Sequence, residues 1–103
     1  MEELKELYAT VQSRQASAQE GSYTGYLFAQ GLKKVGEECS ETIIAAKNGK
    51  NEETVLEISD LLYHLTVLMV QQGITLEQVE QELSKRGGKT GNLKTFHQVD
   101  KNT

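Results

Sequence analysis

Two pairs of acidic residues recur in the sequence at the same spacing. Glu38 and Glu41 are three residues apart, and so are Glu57 and Asp60. Residues three apart on an α-helix project to the same side from adjacent turns, so each pair can offer its carboxylates to one ligand. Carboxylates without a cluster of Cys or His suit Mg²⁺, or alternatively Mn²⁺, better than Zn²⁺. Because Mg²⁺ often binds phosphate groups through its open positions, the pattern predicts metal-assisted hydrolysis at phosphorus.

The second pair lies in a largely apolar stretch, residues 55–70, which has no Gly or Pro. Uncompensated charge on a buried helix is costly, so a metal ion is expected to neutralise Glu57 and Asp60. The first pair has a simpler alternative, because Glu38 and Glu41 could belong to a solvated helix face. An Asn-Gly turn between the pairs predicts antiparallel helices, which would bring the pairs face to face.

A polyphosphate substrate also needs cations near the metal. Lys34 and Lys47 lie on the same predicted helix as the first pair and are candidates to contact phosphate, although either could be a solubilising surface lysine. His64 follows Asp60 by one turn, and we expect it to support that carboxylate, because Mg²⁺ itself prefers oxygen ligands. Cys39 is expected to be a small core residue.

The periodicity of apolar residues predicts an all-α fold. Residues 12–22 are polar and predict fraying or a loop, and Gly31 predicts a bend in the second helix. Asn51 is the expected N-cap of the third helix, while Thr75 and Gln78 form an expected capping box. The predicted helices run from Glu2 to about Ala18, from near Tyr23 to about Lys47, from Asn51 to Gln72 and from Thr75 to Gly87.

The totals fit a single small domain. The chain has 103 residues, one cysteine and a formal net charge of −4. We predict one domain over residues 1–86 and a flexible tail over residues 87–103. The charge balance argues against nucleic acid as a partner, and the apolar runs are too short or too interrupted to span a membrane. The lone cysteine and the acidic N-terminus predict a cytoplasmic protein.

The third helix carries more apolar surface than three short neighbours can cover. The second helix adds an apolar side, expected to face inward, made of Val35, Cys39, Thr42, Ile43 and Ala46. We therefore expect a homodimer in which these two helices build a shared bundle, with a monomer that exposes some Leu as the alternative.

Longer stretches around these residues resemble the phosphoribosyl-ATP pyrophosphohydrolases, a family within the all-α, MazG-like nucleoside triphosphate pyrophosphohydrolases. The similar stretches are SYTGYLF at 22–28, KKVGEECSETIIAAKNG at 33–49, EISDLLYHLTVLM at 57–69 and GITLEQVEQELSKR at 73–86. Together they cover most of the chain.

The resemblance implies a four-helix bundle completed by homodimerisation. It implies hydrolysis of 1-(5-phospho-β-D-ribosyl)-ATP to the AMP derivative and pyrophosphate, the second step of histidine biosynthesis. It also implies a catalytic set, with Mg²⁺ held by the last four of its members: Glu37, Glu38, Glu41, Glu57 and Asp60.

The sequence departs from the family between Gly31 and the lysine pair Lys33-Lys34, where members usually have about one more helical turn. Losing about four residues nearly preserves the helical phase, so the carboxylate face can survive. Two alternatives stay open: a house-cleaning pyrophosphohydrolase acting on other nucleotides, and a non-catalytic helical interaction module.

Overall fold

A computed structural model describes residues 1–17 and 21–87, without the side chains of residues 17 and 21–28. These ranges contain helices and no strand, which confirms the all-α prediction: α1 (Glu2–Ser17), α2 (Gly21–Lys47), α3 (Asn51–Gln72) and α4 (Leu76–Gly87). The helices α1–α3 belong to one compact unit, Met1–Gly73, and α4 belongs to a second unit that begins at Ile74. A single domain over residues 1–86 stays a prediction, and the predicted tail lies outside the described residues beyond Gly87.

A tight turn joins α2 and α3 into an antiparallel hairpin. Gly49 has a φ of 70°, in the left-handed region that glycine enters without steric cost. The backbone N–H of Gly49 donates to the carbonyl of Ala46 at 3.0 Å, and that of Lys50 donates to the carbonyl of Ala45 at 3.3 Å. This is the Schellman arrangement, and it confirms the predicted helix end at Asn-Gly.

The ends of α3 and α4 also follow their local sequence. Gly73 ends α3 with a φ of 74°, and its N–H points to the carbonyls of Met69 and Val70. At the start of α4, the N–H of Gln78 donates to Thr75 Oγ1 at 3.1 Å, and the N–H of Thr75 donates to Gln78 Oε1 at 2.8 Å. The predicted stop at Gly73 and the predicted capping box are confirmed.

Two local predictions, the fraying of residues 12–17 and the N-cap at Asn51, are wrong. The helix α1 ends at Ser17, close to the predicted end near Ala18, because α1 packs against α3 and buries Val11. The helix α2 continues through Gly31 without a break, packed along α3, and a bend at Gly31 stays a prediction. Asn51 is the first residue of α3 and not its N-cap. The turn at Gly49 is so short that Lys50, the single residue between Gly49 and α3, takes the N-cap position, and its side chain makes no capping hydrogen bond.

The predicted inward side of α2 is also wrong in part. Val35 and Thr42 are half-buried, whereas Cys39, Ile43 and Ala46 are exposed. The buried positions are Glu38 and Ala45, which are 6% exposed each. With Gly31, they are spaced by seven residues and so lie on one helix face. The side of α2 that is buried therefore includes the predicted metal ligand Glu38 in place of Cys39, Ile43 and Ala46.

The apolar core of the described residues is small. The buried apolar side chains are Val11, Ala45 and Val70, to which Thr66 adds a buried hydroxyl bonded to the carbonyl of Leu62 at 2.8 Å. No helix in the described part of the chain has the length and apolar character needed to cross a membrane.

Candidate functional site

Three carboxylates converge where α2 and α3 face each other. Glu38 and Glu41 on α2 and Glu57 on α3 each offer an oxygen, and these oxygens lie within 4.8 Å of one another. The turn at Gly49 sets the register of the hairpin, so that the two acidic segments come opposite each other. The predicted meeting of the two acidic pairs is thus found for Glu38 and Glu41 of the first pair and for Glu57 of the second, but not for Asp60.

The cluster is graded in burial. Glu38 is buried, Glu57 is half-buried and Glu41 is exposed. Burial is the largest cause that raises the pKa of Glu57 to about 7, and the nearby carboxylates of Glu38 and Glu41 raise it further. One oxygen of Glu38 and one of Glu57 are shielded from solvent and accept no hydrogen bond from any described residue.

This arrangement fits a hard divalent cation. Shielded carboxylate oxygens need a positive or hydrogen-bonding partner, and a cation between the three groups would supply one. The same cation would favour the ionised form of Glu57. Mg²⁺ and Mn²⁺ prefer oxygen ligands, whereas Zn²⁺ sites usually contain Cys or His.

The other acidic candidates lie next to the cluster but outside it. Asp60 is exposed one turn further along α3 and is not one of the three converging carboxylates. Glu37 is exposed on α2, and its Oε1 lies 3.6 Å from Lys34 Nζ. The assignment of Asp60 as a metal ligand and of Glu37 as a catalytic residue stays a prediction.

The two candidate phosphate-binding lysines have different surroundings. Lys34 Nζ also lies 4.0 Å from Glu38 Oε2, so this cation borders the carboxylate cluster. Lys47 is exposed in the last turn of α2. Since Glu41 lies between them along α2, the two lysines are on opposite sides of the cluster in the direction of the helix axis.

His64 lies two turns beyond Glu57 on α3 and is half-buried. Its ring packs edge-on against Tyr63, with ring centroids 5.0 Å apart. Both side chains line a cavity between the first three helices, so His64 forms part of its wall. Its predicted support of Asp60 stays a prediction.

The cavity has a volume of about 320 Å³ and lies between α1, α2 and α3. Apolar side chains of Val11 and Val67 form part of its wall, and Arg14, Lys34 and Gln71 bring polar groups to it. A smaller cavity of about 150 Å³ lies on the other side, lined by Glu41 and Glu57 themselves. Glu41 and Glu57 can therefore be reached from the smaller cavity, while the buried Glu38 is linked to the larger one through Lys34.

Arg14 and Gln71 were missed by the sequence reasoning. Arg14 lies in residues that were expected to fray, whereas the structure keeps them helical against α3. A signal was present, because Arg14 continues the stripe formed by Leu4, Leu7 and Val11 at helical spacing.

Comparison with known proteins gives a consistent result. The family model described as phosphoribosyl-ATP pyrophosphohydrolase matches residues 4–87. A phosphoribosyl-ATP pyrophosphatase of Lactiplantibacillus plantarum is 48% identical over 98 residues, which cover 91% of this chain and 92% of the relative. That of Limosilactobacillus fermentum is 50% identical with the same coverage. The histidine biosynthesis bifunctional protein HisIE of Caldanaerobacter subterraneus is 49% identical over 84% of this chain and 44% of its own length.

Proposed function

The chain belongs to the phosphoribosyl-ATP pyrophosphohydrolase family, and from this premise we propose that Glu38, Glu41 and Glu57 form the metal-binding centre of its reaction. The protein is a hydrolase of histidine biosynthesis that converts phosphoribosyl-ATP to phosphoribosyl-AMP and pyrophosphate. Of the functions considered from the sequence, the leading one is confirmed. The continuity of α2 through the shortened segment at Gly31 accords with this, because the carboxylates keep their phase.

The observation that carries the proposal is the convergence of three carboxylates with two shielded oxygens that lack a donor among the described residues. Such a cluster is unfavourable unless a cation or protons compensate it. When bound, Mg²⁺ would supply positive charge to the phosphate chain and Lewis acidity at the reacting phosphorus. Asp60, one turn after Glu57, is proposed as a further ligand, and Mn²⁺ as a possible substitute for Mg²⁺.

The side chains around the centre have complementary roles. Lys34 borders the cluster and would contact a phosphate oxygen, which partly offsets the charge that develops during cleavage between the α and β phosphates. Glu37 is exposed beside Lys34 and outside the cluster, so its carboxylate is available to accept a proton from the attacking water. Lys47 would meet the phosphate chain from the opposite side of the cluster.

We further propose that the active protein is a homodimer located in the cytoplasm. Large apolar side chains at the end of α2 and the start of α3 are exposed, among them Ile44 at 58% and Leu56 at 64%. A second copy that packs on this surface would complete the four-helix bundle expected from the sequence. The location rests on the sequence features alone.

The test measures pyrophosphate release from phosphoribosyl-ATP by the purified protein, with and without Mg²⁺. We expect Glu57→Gln to lower kcat/KM by about 100-fold or more, because it removes a charge that holds the metal beside the phosphates. Glu52→Gln is the matched control, since Glu52 is an exposed glutamate in the first turn of the same helix. It should retain wild-type activity.

A second readout does not depend on turnover. Because a ligand that binds only the folded state stabilises it, Mg²⁺ should raise the melting temperature of the wild-type protein and of Glu52→Gln but not that of Glu57→Gln. Equal Mg²⁺ stabilisation of all three would contradict the proposed centre. Complementation of a histidine auxotroph that lacks this step extends the test to the cell: the wild-type gene and Glu52→Gln should restore growth, and Glu57→Gln should not.

A further inference from the structure

The carboxylate centre alone does not explain how the enzyme selects its substrate. Phosphoribosyl-ATP and ATP carry the same triphosphate, so a centre that binds the triphosphate holds both. Selection between them requires a contact with the additional phosphoribosyl group, whose most distinctive feature is a phosphate dianion. This inference rests on the proposed function and asks which side chain makes that contact.

The cavity between α1, α2 and α3 is placed to receive the part of the substrate beyond the triphosphate. Lys34 lines it, and Lys34 Nζ lies 4.0 Å from Oε2 of the cluster residue Glu38, so one side chain borders both the cavity and the carboxylate cluster. Its volume of about 320 Å³ is within the range of ligand pockets. Tyr63 and Val67 give it apolar walls suited to a purine ring.

Arg14 brings a second positive charge to this cavity, from α1. Its side chain is exposed and, among the described residues, it has no carboxylate within ion-pair distance. An arginine at the edge of an apolar chamber, without a partner there, matches a phosphate ester, because its planar guanidinium can donate two parallel hydrogen bonds. Lys34, by contrast, is already near Glu37 and Glu38.

We propose that Arg14 binds the 5-phosphate of the phosphoribosyl group and is the residue that distinguishes phosphoribosyl-ATP from ATP. Gln71 lines the same cavity, and its Oε1 is shielded from solvent without a hydrogen-bond donor among the described residues. That oxygen accepts a hydrogen bond from a ribosyl hydroxyl. The cavity is thus a binding site for a ribosyl phosphate, next to but separate from the metal-binding carboxylates.

The test compares the wild-type enzyme with Arg14→Gln, using the KM for phosphoribosyl-ATP and the inhibition constant of ATP as a competitor. Loss of a charge-assisted contact with phosphate should raise that KM by about 10- to 100-fold. The inhibition constant of ATP should stay unchanged, because ATP lacks the group that Arg14 contacts. Arg86→Gln is the matched control: Arg86 lies on α4 in an ion pair with Glu82, and its loss should change neither constant.

Two results would overturn the assignment: an unchanged KM for phosphoribosyl-ATP in Arg14→Gln, or an equal loss of binding for both nucleotides, which would place Arg14 at the triphosphate. Should Arg14→Gln fail to fold, Arg14→Lys is the second variant. It keeps the charge but lacks the planar guanidinium, so it should raise the KM for phosphoribosyl-ATP by less, again with no change in the inhibition constant of ATP.

Ribose 5-phosphate is a separate probe, which should inhibit the wild-type enzyme and Arg86→Gln but not Arg14→Gln. If the wild-type protein releases no pyrophosphate from phosphoribosyl-ATP, the function itself is refuted. If the wild-type protein turns over normally and Arg14→Gln has the same KM for phosphoribosyl-ATP, only this inference is refuted.

Discussion

Glu57 links the stability of the chain to pH. Its pKa is raised from 4.5 to about 7, chiefly by burial and then by Glu38 and Glu41, so the folded chain keeps a proton that the unfolded chain has lost over this interval. Stability contributed by this proton is fully present below about pH 4.5 and is lost as the pH rises through about 7. Without divalent cations, the free energy of unfolding should therefore fall across this window.

Urea titrations between pH 4 and 8 in EDTA measure this effect, and Glu57→Gln isolates it from the other titrating groups. The difference between the variant and the wild-type protein should grow in favour of the variant as the pH rises, while Glu52→Gln should follow the wild type. Mg²⁺ should remove the decline, because metal binding favours the ionised carboxylates. Parallel pH profiles for the wild-type protein and Glu57→Gln would show that the proton is not held at this residue.

Asp60 tests how far a site can be derived from spacing. Its distance of three residues from Glu57 places it on the same side of α3, yet it is exposed and outside the three-carboxylate cluster. If Asp60 is a further metal ligand, Asp60→Asn should raise the Mg²⁺ concentration needed for half-maximal activity and should lower kcat/KM by about tenfold or more. Ser59→Ala is the control, since Ser59 is an exposed neighbour whose Oγ donates to the carbonyl of Val55 in its own helix. An unchanged Mg²⁺ requirement would remove Asp60 from the ligand set.

At the scale of elements, the features that could be predicted are the helix ends, because these depend on residues that are close together in the sequence. The stops at Gly49 and Gly73 and the capping box at Thr75 follow from local turn chemistry, and all are present. The side of α2 predicted to face inward was wrong in part, since the rotation of a helix about its axis depends on its contacts, here with α3. Those contacts bury Glu38 and leave Cys39 exposed. The position of Arg14 at a cavity could not be derived for the same reason.

The turn at Gly49 sets the register that brings the acidic segments together, and its contribution can be measured. Gly49→Ala places a side chain at a φ of 70° and should lower the free energy of unfolding by about 1–2 kcal/mol. Gly36→Ala is the matched control with the opposite sign, because Gly36 is inside α2 and a Cβ there has no atom within 4 Å. It should raise stability by up to about 1 kcal/mol, since alanine is the better helix former. Chemical denaturation measures both, and destabilisation by Gly36→Ala equal to that by Gly49→Ala would contradict the role given to the turn.

At the scale of the whole molecule, the small apolar core and the large exposed apolar surface have one explanation in a partner copy. Only Val11, Ala45 and Val70 are buried apolar side chains in the described residues, while Ile44, Val55 and Leu56 are more than half exposed. Each large apolar side chain gains about 1.5–3 kcal/mol when it is fully buried. A partner copy that covers this surface would therefore supply stability that the first compact unit lacks by itself.

Sedimentation velocity of single-site variants tests this dimer. Leu56→Glu places a charge on the proposed interface, where its burial would be costly, and should convert the dimer to a monomer and lower the melting temperature. Leu83→Glu introduces the same change at a leucine of α4 with nearly equal exposure, 62% against 64%, and should sediment like the wild type. If Leu56→Glu stays dimeric, the subunits meet through another surface; if the wild-type protein is a monomer, α2 and α3 carry their exposed apolar side chains without a partner. In the first case the cluster of Glu38, Glu41 and Glu57 keeps its role, because all three residues come from one chain.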